Sequence, residues 1–362
     1  MLAHNISTES FSKLDAYLRK QKLLKLAKVA LKDYGLENVE VQLIAHRQSV
    51  TYRINVLGKI QKPEANSPYL TNCYLLKIHR RNYLSPQSVA SELQWLQALR
   101  QETALPVPGV VPTLKGDYVT VASTSDIPEP RVCSLTRWVY GELGKPMKLK
   151  SIGRLIARIH AHGQQWQSPS NFIRPRWNWQ GLFGEGAGYS INNGAKIWQL
   201  TPKPYRQIFQ QVADRVKQMM EILGEDENQF GLIHGDMCPR NLLAFCDEIR
   251  PIDFADCGYG YWMQDIAMFI SYFACDPQVP KYLRLLVEGY REIKPLPSKQ
   301  LVYIDTFITL HQVTLALSKV NRARHRGDRS VLASLQETGQ QARWFLSRCP
   351  FPSKIQLNVP IR

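Results

Sequence analysis

The residues of this 362-residue sequence that could do chemistry cluster within 232–267. His234-Gly235-Asp236 is followed five positions later by Asn241, and an apolar run then delivers Asp253 within Ile252-Asp253-Phe254. A carboxylate, an amide oxygen and a second carboxylate are hard oxygen donors of the kind Mg²⁺ accepts while it fills its octahedron with water and phosphate oxygens. With Asn241 and Asp253 as the metal ligands, Asp236 is free to take the proton from a hydroxyl attacking a phosphoryl group. Catalytic loops that read H-R-D-x-x-x-x-N divide the labour this way. Gly235 stands where those loops carry Arg. Taken singly, HGD or IDF would pass for a turn or a strand end; the ordered set points to phosphotransfer.

Such a constellation needs a rigid support. Apolar runs at 241–245 and 249–254 flank a polar turn at 246–248, which predicts a β-hairpin. On that reading Asn241 opens the first strand, Asp253 closes the second, and both lie beside Asp236 at one end.

The set resembles the aminoglycoside phosphotransferase and choline kinase-like family. That family's signature, H-G-D-x-x-x-x-N followed by I-D-F-x-D, is met by His234-Gly235-Asp236, Asn241 and Ile252-Asp253-Phe254-Ala255-Asp256. Asp265-Ile266-Ala267 matches its D-[IL]-A helix start. The resemblance implies an α+β, bilobal protein kinase-like fold that uses ATP and Mg²⁺. Its small, mostly antiparallel β N-lobe would span 37–140 and its larger, mostly helical C-lobe 141–362, after a helical extension at 1–36. Many family members also carry an acid at the position of Asp256, suited to supporting the metal or holding the loop.

Composition is compatible with this. The length allows two lobes, and 44% apolar with 10% aromatic residues is ordinary for a globular chain. No apolar run is long enough to span a membrane, and the first residues lack a signal-peptide layout, so the expectation is a cytoplasmic protein with no membrane partner. Seven cysteines without a C-x-x-C pair argue against a disulfide framework or a zinc site. A net charge of +16 suits anionic substrates such as ATP, while the absence of a helix-turn-helix, zinc-finger or RNA-binding signature argues against nucleic acid. Of the basic stretches, 19–32 reads as the solvated face of an amphipathic helix, and 319–329 as an exposed loop or anion-binding patch.

Along the chain, Thr8, Glu9 and Ser10 are plausible caps for a helix over 8–34. Residues 39–60 read as two strands joined at 46–50, and Ser49 and Thr51 are candidates to contact nucleotide phosphates in place of a glycine-rich loop. Lys77 lies in the β-rich run 70–79, and Glu92 follows on a helix over 86–100. This is the arrangement in which a Glu orients a Lys toward the α- and β-phosphates. Residues 106–141 suggest a hairpin turning at 115–117 and a final strand at 132–140. By the resemblance that strand's exit is the hinge. Thr136 would lie at the back of the adenine pocket, and Arg137 and Val139 would offer backbone groups to the adenine.

In the helix over 149–166, His160 reads as a structural histidine, because it does not share a face with His162. The loop 171–189 is rich in Arg, Trp and Gly; Arg174, Arg176 and Trp177 are candidates for substrate contact, with packing as the rival role. Helices are expected at 200–222, 266–273, 281–290, 298–317 and 330–347.

The acceptor is read less sharply. The loop 171–189 and the run after Lys77 resemble the family branch that includes bacterial stress-response Ser/Thr kinases, which favours a protein hydroxyl. A small alcohol of homoserine, choline, sugar or aminoglycoside type stays open, with the polycationic aminoglycosides ranked low against a +16 chain. The reading from another class is a non-catalytic ATP-binding regulator.

Overall fold

The computed structural model describes residues 15–46, 49–57, 67–80, 84–184, 194–274, 276–322 and 329–348. The chain divides into two compact units. The first comprises Met1–Glu142, Ser168–Ile173 and Arg250–Ala255; the second comprises Leu143–Gln167, Arg174–Ile249 and Asp256–Arg362.

The first unit is built on an antiparallel sheet of β1 (Val39–His46), β2 (Val50–Val56), β3 (Tyr69–Ile78), β4 (Val110–Val111), β5 (Val119–Ala122) and β6 (Arg131–Val139), in the order β1-β2-β3-β6-β4, with β5 also on β6. Helix α1 (Ala16–Lys32) places Leu23, Leu26, Ala27, Ala30 and Leu31 in one core with Tyr52, Ile54, Leu76 and Leu135 of the sheet. Each fully buried leucine there is worth about 1.5–3 kcal/mol, which accounts for a helix whose opposite face is lysine-rich. The cap residues expected at 8–10 lie outside the described residues. Helix α2 (Pro86–Thr103) starts where the Ser85 hydroxyl accepts from the Ser88 amide and Pro86 opens the first turn, and it ends at Ala104 in the left-handed region. Its fully buried Trp95 meets Phe254 edge to face, with ring centroids 5.9 Å apart.

One expected pairing is corrected. The runs flanking 115–117 do not form a hairpin with each other. Val119–Ala122 pairs with residues 131–134 of β6, and Val110–Val111 pairs with 135–136 of the same strand. A long strand bordered on its other side by β3 offers a complete row of backbone partners, so both short runs dock in series along it.

The second unit is mostly helical: α3 (Leu149–Gln165), α4 (Trp179–Phe183), α5 (Gly194–Leu200), α6 (Lys203–Leu223), α7 (Trp262–Ser271), α8 (Val279–Arg291), α9 (Ser298–Leu301), α10 (Ile304–Arg322) and α11 (Arg329–Arg348). Two short sheets accompany them. β7 (Phe230–Ile233) pairs with β10 (Gly258–Tyr261), and β8 (Leu242–Phe245) pairs with β9 (Glu248–Pro251). The expected helix over 298–317 is therefore two helices. The break follows Leu301; the preceding Gln300 is fully buried, and its side chain accepts from the Met263 amide at 2.8 Å and donates to the Gln229 carbonyl at 2.7 Å. Among the described residues no helix is long and apolar enough to cross a membrane.

The expected hairpin is present with different limits. Asn241 sits in a 3₁₀ turn (Pro239–Asn241) ahead of β8, and β9 stops at Pro251. Asp253 is therefore not a strand residue. It has φ 60°, and a second 3₁₀ turn (Phe254–Asp256) follows. Asp tolerates this left-handed geometry better than most side chains because it can bond locally.

Helices α3 and α8 cross at their glycines. A Cβ on Gly153 would lie 2.0 Å from the Leu286 carbonyl oxygen, and one on Gly289 would lie 2.0 Å from the Lys150 carbonyl oxygen. These are backbone atoms that cannot step aside like a side chain. Gly153→Ala should therefore destabilise the protein by about 1–3 kcal/mol through overpacking, despite alanine's better helix propensity. Chemical denaturation against the parent chain measures this; a stabilised variant would show that the crossing is looser than described.

Candidate active site

The His-Gly-Asp segment leaves β7, whose four residues are all buried, and at once becomes polar. Its backbone is held by one carboxylate. Asp265, in the first half of α7 and fully buried, accepts the His234 amide on Oδ2 at 2.9 Å and the Gly235 amide on Oδ1 at 3.0 Å. The same Oδ2 lies 3.0 Å from His160 Nε2, and His160 Nδ1 lies 3.0 Å from the Tyr290 hydroxyl. Burial alone would push the Asp265 carboxyl up, but the hydrogen bonds from His160 and from the His234 amide hold it below the usual carboxylate range. Burial keeps His160 below its ordinary value even beside Asp265. The pair is thus an ionised aspartate and a neutral imidazole: Nε2–H donates to Asp265, and Nδ1 accepts from the Tyr290 hydroxyl. His160 has the structural role expected of it.

Gly235 fixes the turn. It has φ 78°, and a Cβ would lie 2.0 Å from the Asp256 carbonyl oxygen. Any side chain here meets both a forbidden conformation and a backbone atom. This explains physically why the Arg of H-R-D loops is absent. The same Asp256 carbonyl accepts from Trp177 Nε1 at 2.9 Å.

Asp236 emerges with its amide 3.2 Å from His234 Nδ1. Asn241, itself buried, donates Nδ2 to the Asp236 carboxylate at 2.8 Å and to the Asp236 carbonyl at 2.9 Å. The five-residue spacing thus brings the expected base and one expected metal ligand into contact, and their relative geometry is locked. Arg240 joins them: its Nη2 lies 3.3 and 3.4 Å from the two Asp236 oxygens. The Cys238 thiol, pushed up to about 12 by burial and then by the Asp236 charge, stays protonated and has no nucleophilic role.

In the first unit, Lys77 Nζ donates to Asp253 Oδ1 at 2.7 Å. The Lys77 side chain is 13% exposed and that of Asp253 48% exposed, so the contact joins a largely covered cation to a carboxylate that solvent still reaches. Glu92 is buried on α2 in this unit. Ser49 precedes β2, and the Thr51 hydroxyl points back to the Ala45 carbonyl at 3.5 Å across the β1–β2 pairing. Residues 47 and 48 of this turn lie outside the described residues.

The other expected contact residues have the following partners. The Arg137 amide donates to the Gly109 carbonyl at 2.7 Å, and its guanidinium lies 5.1 Å from the centre of the Tyr69 ring. Val139 pairs with Tyr69 at the end of β6. Arg174 is buried and gives Nε to the Cys257 carbonyl at 2.6 Å. Trp177 is buried, and its amide donates to the Tyr259 carbonyl at 2.7 Å. Arg176 pairs with Glu225 and covers the Phe230 ring. These three residues pack on β7, β10 and the 256–257 backbone, with the Arg176 side chain still 50% exposed. Residues 185–189 of that loop lie outside the described residues.

Sequence reasoning missed two residues. Asp265 was legible only as a helix-start motif, although a carboxylate inside Trp262-Met263-Gln264-Asp265-Ile266-Ala267 is costly to bury without donors and could have signalled an anchor. Arg240 falls on a variable position of the motif, and its four-residue spacing from Asp236 was the available clue.

An antiparallel sheet unit carrying a Lys–Asp pair, with a helical unit carrying an H-G-D-x-x-x-x-N loop, defines an α+β protein kinase-like phosphotransferase. The sequence profile of the phosphotransferase enzyme family (APH) matches residues 64–299. The chain belongs to that family, and it is a kinase acting on hydroxyl groups. The structure is similar to that of a microcompartment-associated aminopropanol kinase, with TM-score 0.73 and 25% identity over 90% of this chain and 98% of the other. It also resembles an amicoumacin kinase bound to AMP-PNP, Ca²⁺ and Ami, with TM-score 0.68 and 18% identity over 92% and 95% of the two chains. The amicoumacin kinase of Bacillus subtilis (strain 168) is 22% identical over 302 residues, covering 78% of this chain and 80% of its own.

The anchor generates two predictions. Asp265→Ala orphans three N–H donors, two of them on buried residues, and should destabilise the protein by about 3–5 kcal/mol, with turnover falling further than nucleotide binding; denaturation and steady-state kinetics separate the two. Stability should also fall on acidification. A buried histidine whose folded pKa lies below its unfolded one leaves the unfolded chain holding more protons, so His160, and His311 held at about 4 by burial, favour unfolding as pH drops below about 6.5. Asp265, depressed when folded, adds its loss as pH falls through the carboxylate range. Calorimetry from pH 8 to 4.5 should show a falling Tm, and a flat profile would contradict this arrangement.

Proposed function

We propose that this chain transfers the γ-phosphate of ATP, presented with Mg²⁺, to the hydroxyl of a small-molecule alcohol, with Asp236 as the general base. We assign nucleotide binding to 37–140 and acceptor binding with catalysis to 141–362, and we place the protein in the cytoplasm, where ATP is supplied. The acceptor oxygen forms the new bond to the γ-phosphorus, its proton passes to Asp236, and the bond to the β–γ bridging oxygen breaks to release ADP.

The observation that carries the catalytic role is the double hydrogen bond from Asn241 to Asp236. It fixes the carboxylate relative to its own backbone, as a base must be fixed if it is to meet the hydroxyl at about 2.6–3.2 Å. Support for a small acceptor comes from the likeness, over 90% of the chain, to a kinase named for aminopropanol. A protein Ser/Thr acceptor drew its support from the resemblance of the loop 171–189 and the run after Lys77, but in that loop Arg174, Arg176 and Trp177 all have packing partners, which weakens the case for a protein-binding surface there.

The donors present suit Mg²⁺. Asn241 commits its amide nitrogen to Asp236, leaving Oδ1 as the acceptor end of the side chain, and the Asp253 carboxylate is about half exposed. Two hard protein oxygens suffice for an ion that keeps water and phosphate as its remaining ligands. Asn241 and Asp253 would hold it, and the ion would draw charge off the phosphates. Lys77, now on Asp253, is the cation of this unit suited to the α- and β-phosphates, with Glu92 to orient it and Ser49 and Thr51 near the β1–β2 turn as further phosphate contacts.

Asp236→Ala should lower kcat by roughly 10²- to 10⁴-fold with nucleotide affinity nearly unchanged, and Asp253→Ala should abolish Mg²⁺-dependent ATP binding. Phosphate transfer from labelled ATP to a panel of alcohols, beside nucleotide titrations with and without Mg²⁺, reads both. An Asp236→Ala chain as active as the parent sinks the assignment, and label appearing on added protein instead of any alcohol restores the protein-kinase reading.

A further inference from the structure

We propose that Arg240 reads an anionic group on the acceptor, so that the hydroxyl phosphorylated here belongs to a compound bearing a carboxylate or phosphate within a few bonds of it. This deepens the proposal above and rests on its reading of Asp236 as the base for a small alcohol.

Arg240 is a cation in contact with the proposed base. Its Nη2 is shared between both Asp236 oxygens at 3.3 and 3.4 Å, which is long for a charge-assisted contact. Its guanidinium lies 5.4 Å from the centre of the exposed Tyr272 ring, which supports the group from one side. The side chain is 50% exposed, and the N–H groups on Nε and Nη1 have no partner among the described residues. Its backbone belongs to the 3₁₀ turn that ends at Asn241, so the guanidinium is tethered beside Asp236.

An acceptor hydroxyl within hydrogen-bond reach of Asp236 must also lie within a few ångströms of this guanidinium. A neighbouring ammonium on the acceptor would then face a like charge, and part of the pull that Asp236 exerts on a cation is already offset by Arg240. A neighbouring carboxylate or phosphate would instead meet two unengaged N–H donors on a group that stays charged at every working pH. Arg240 therefore sets which alcohols can present a hydroxyl to the base.

The test uses the full chain and acceptor pairs that differ by one anionic group: threonine against 1-amino-2-propanol, homoserine against 3-amino-1-propanol, and glycerol 3-phosphate against glycerol. Turnover is followed by ADP release, and binding by thermal shift in the presence of Mg²⁺ and AMP-PNP. The anionic member of at least one pair should be preferred by roughly 10- to 100-fold in kcat/KM, and whichever pair shows the preference identifies the anion as carboxylate or phosphate. Arg240→Ala should erase that preference while the chain still binds nucleotide, and Arg240→Lys, which keeps the charge, should retain part of it. Equal or better use of the uncharged or amine-only members, with a ratio unmoved by Arg240→Ala, would overturn the role of Arg240 and leave the small-alcohol kinase standing. If no member of any pair binds or takes phosphate, the small-alcohol reading itself fails and takes this proposal with it.

Discussion

A single buried carboxylate holds the His-Gly-Asp segment in place. Asp265 has no exposed surface and spends both oxygens on the backbone of His234 and Gly235 and on the imidazole of His160. Removing a carboxylate from water is expensive unless donors replace the solvent, and here three do. The dependence runs both ways. The loop keeps its shape because Asp265 accepts its amides, and Asp265 stays charged because the loop and His160 supply hydrogens. His160 is in turn oriented by Tyr290 on α8, the helix that α3 can approach closely because Gly153 and Gly289 carry no side chains. A backbone contact between two helices thus reaches the loop through one imidazole and one carboxylate.

The charged pairs elsewhere are more open to solvent than this support. Asp253 is half exposed and sits at a φ that few side chains adopt, with Lys77 as its counter-charge. Asp236 meets Arg240 at long distances, whereas Asn241 holds it with short ones. Local geometry is fixed by buried bonds to amides and amide side chains, whereas the Lys77–Asp253 and Arg240–Asp236 pairs each keep one side chain about half exposed.

Much of this was legible in the sequence because it depends on local spacing. The interval from Asp236 to Asn241 predicted that they lie together, Lys77 fell on its strand, and apolar periodicity placed α2 and α3 to within a few residues. What was not legible depends on partners distant in sequence. Nothing local distinguishes a strand that pairs with its neighbour from one that docks beside β6, so β4 and β5 were misjoined. Arg174 and Trp177 look equally fit for a ligand or for a backbone carbonyl until the 256–257 segment is brought beside them. Asp265 stood within a recognisable motif, but its role depends on amides thirty residues upstream.

The glycine between His234 and Asp236 has a consequence for control. In kinases whose loop carries an arginine at this point, a phosphate added to a distant segment has a cation through which to order the centre. Here the position has no side chain, and none can be added without striking the Asp256 carbonyl. The loop is therefore set once, as the chain folds, with no handle at this residue for a covalent on-switch.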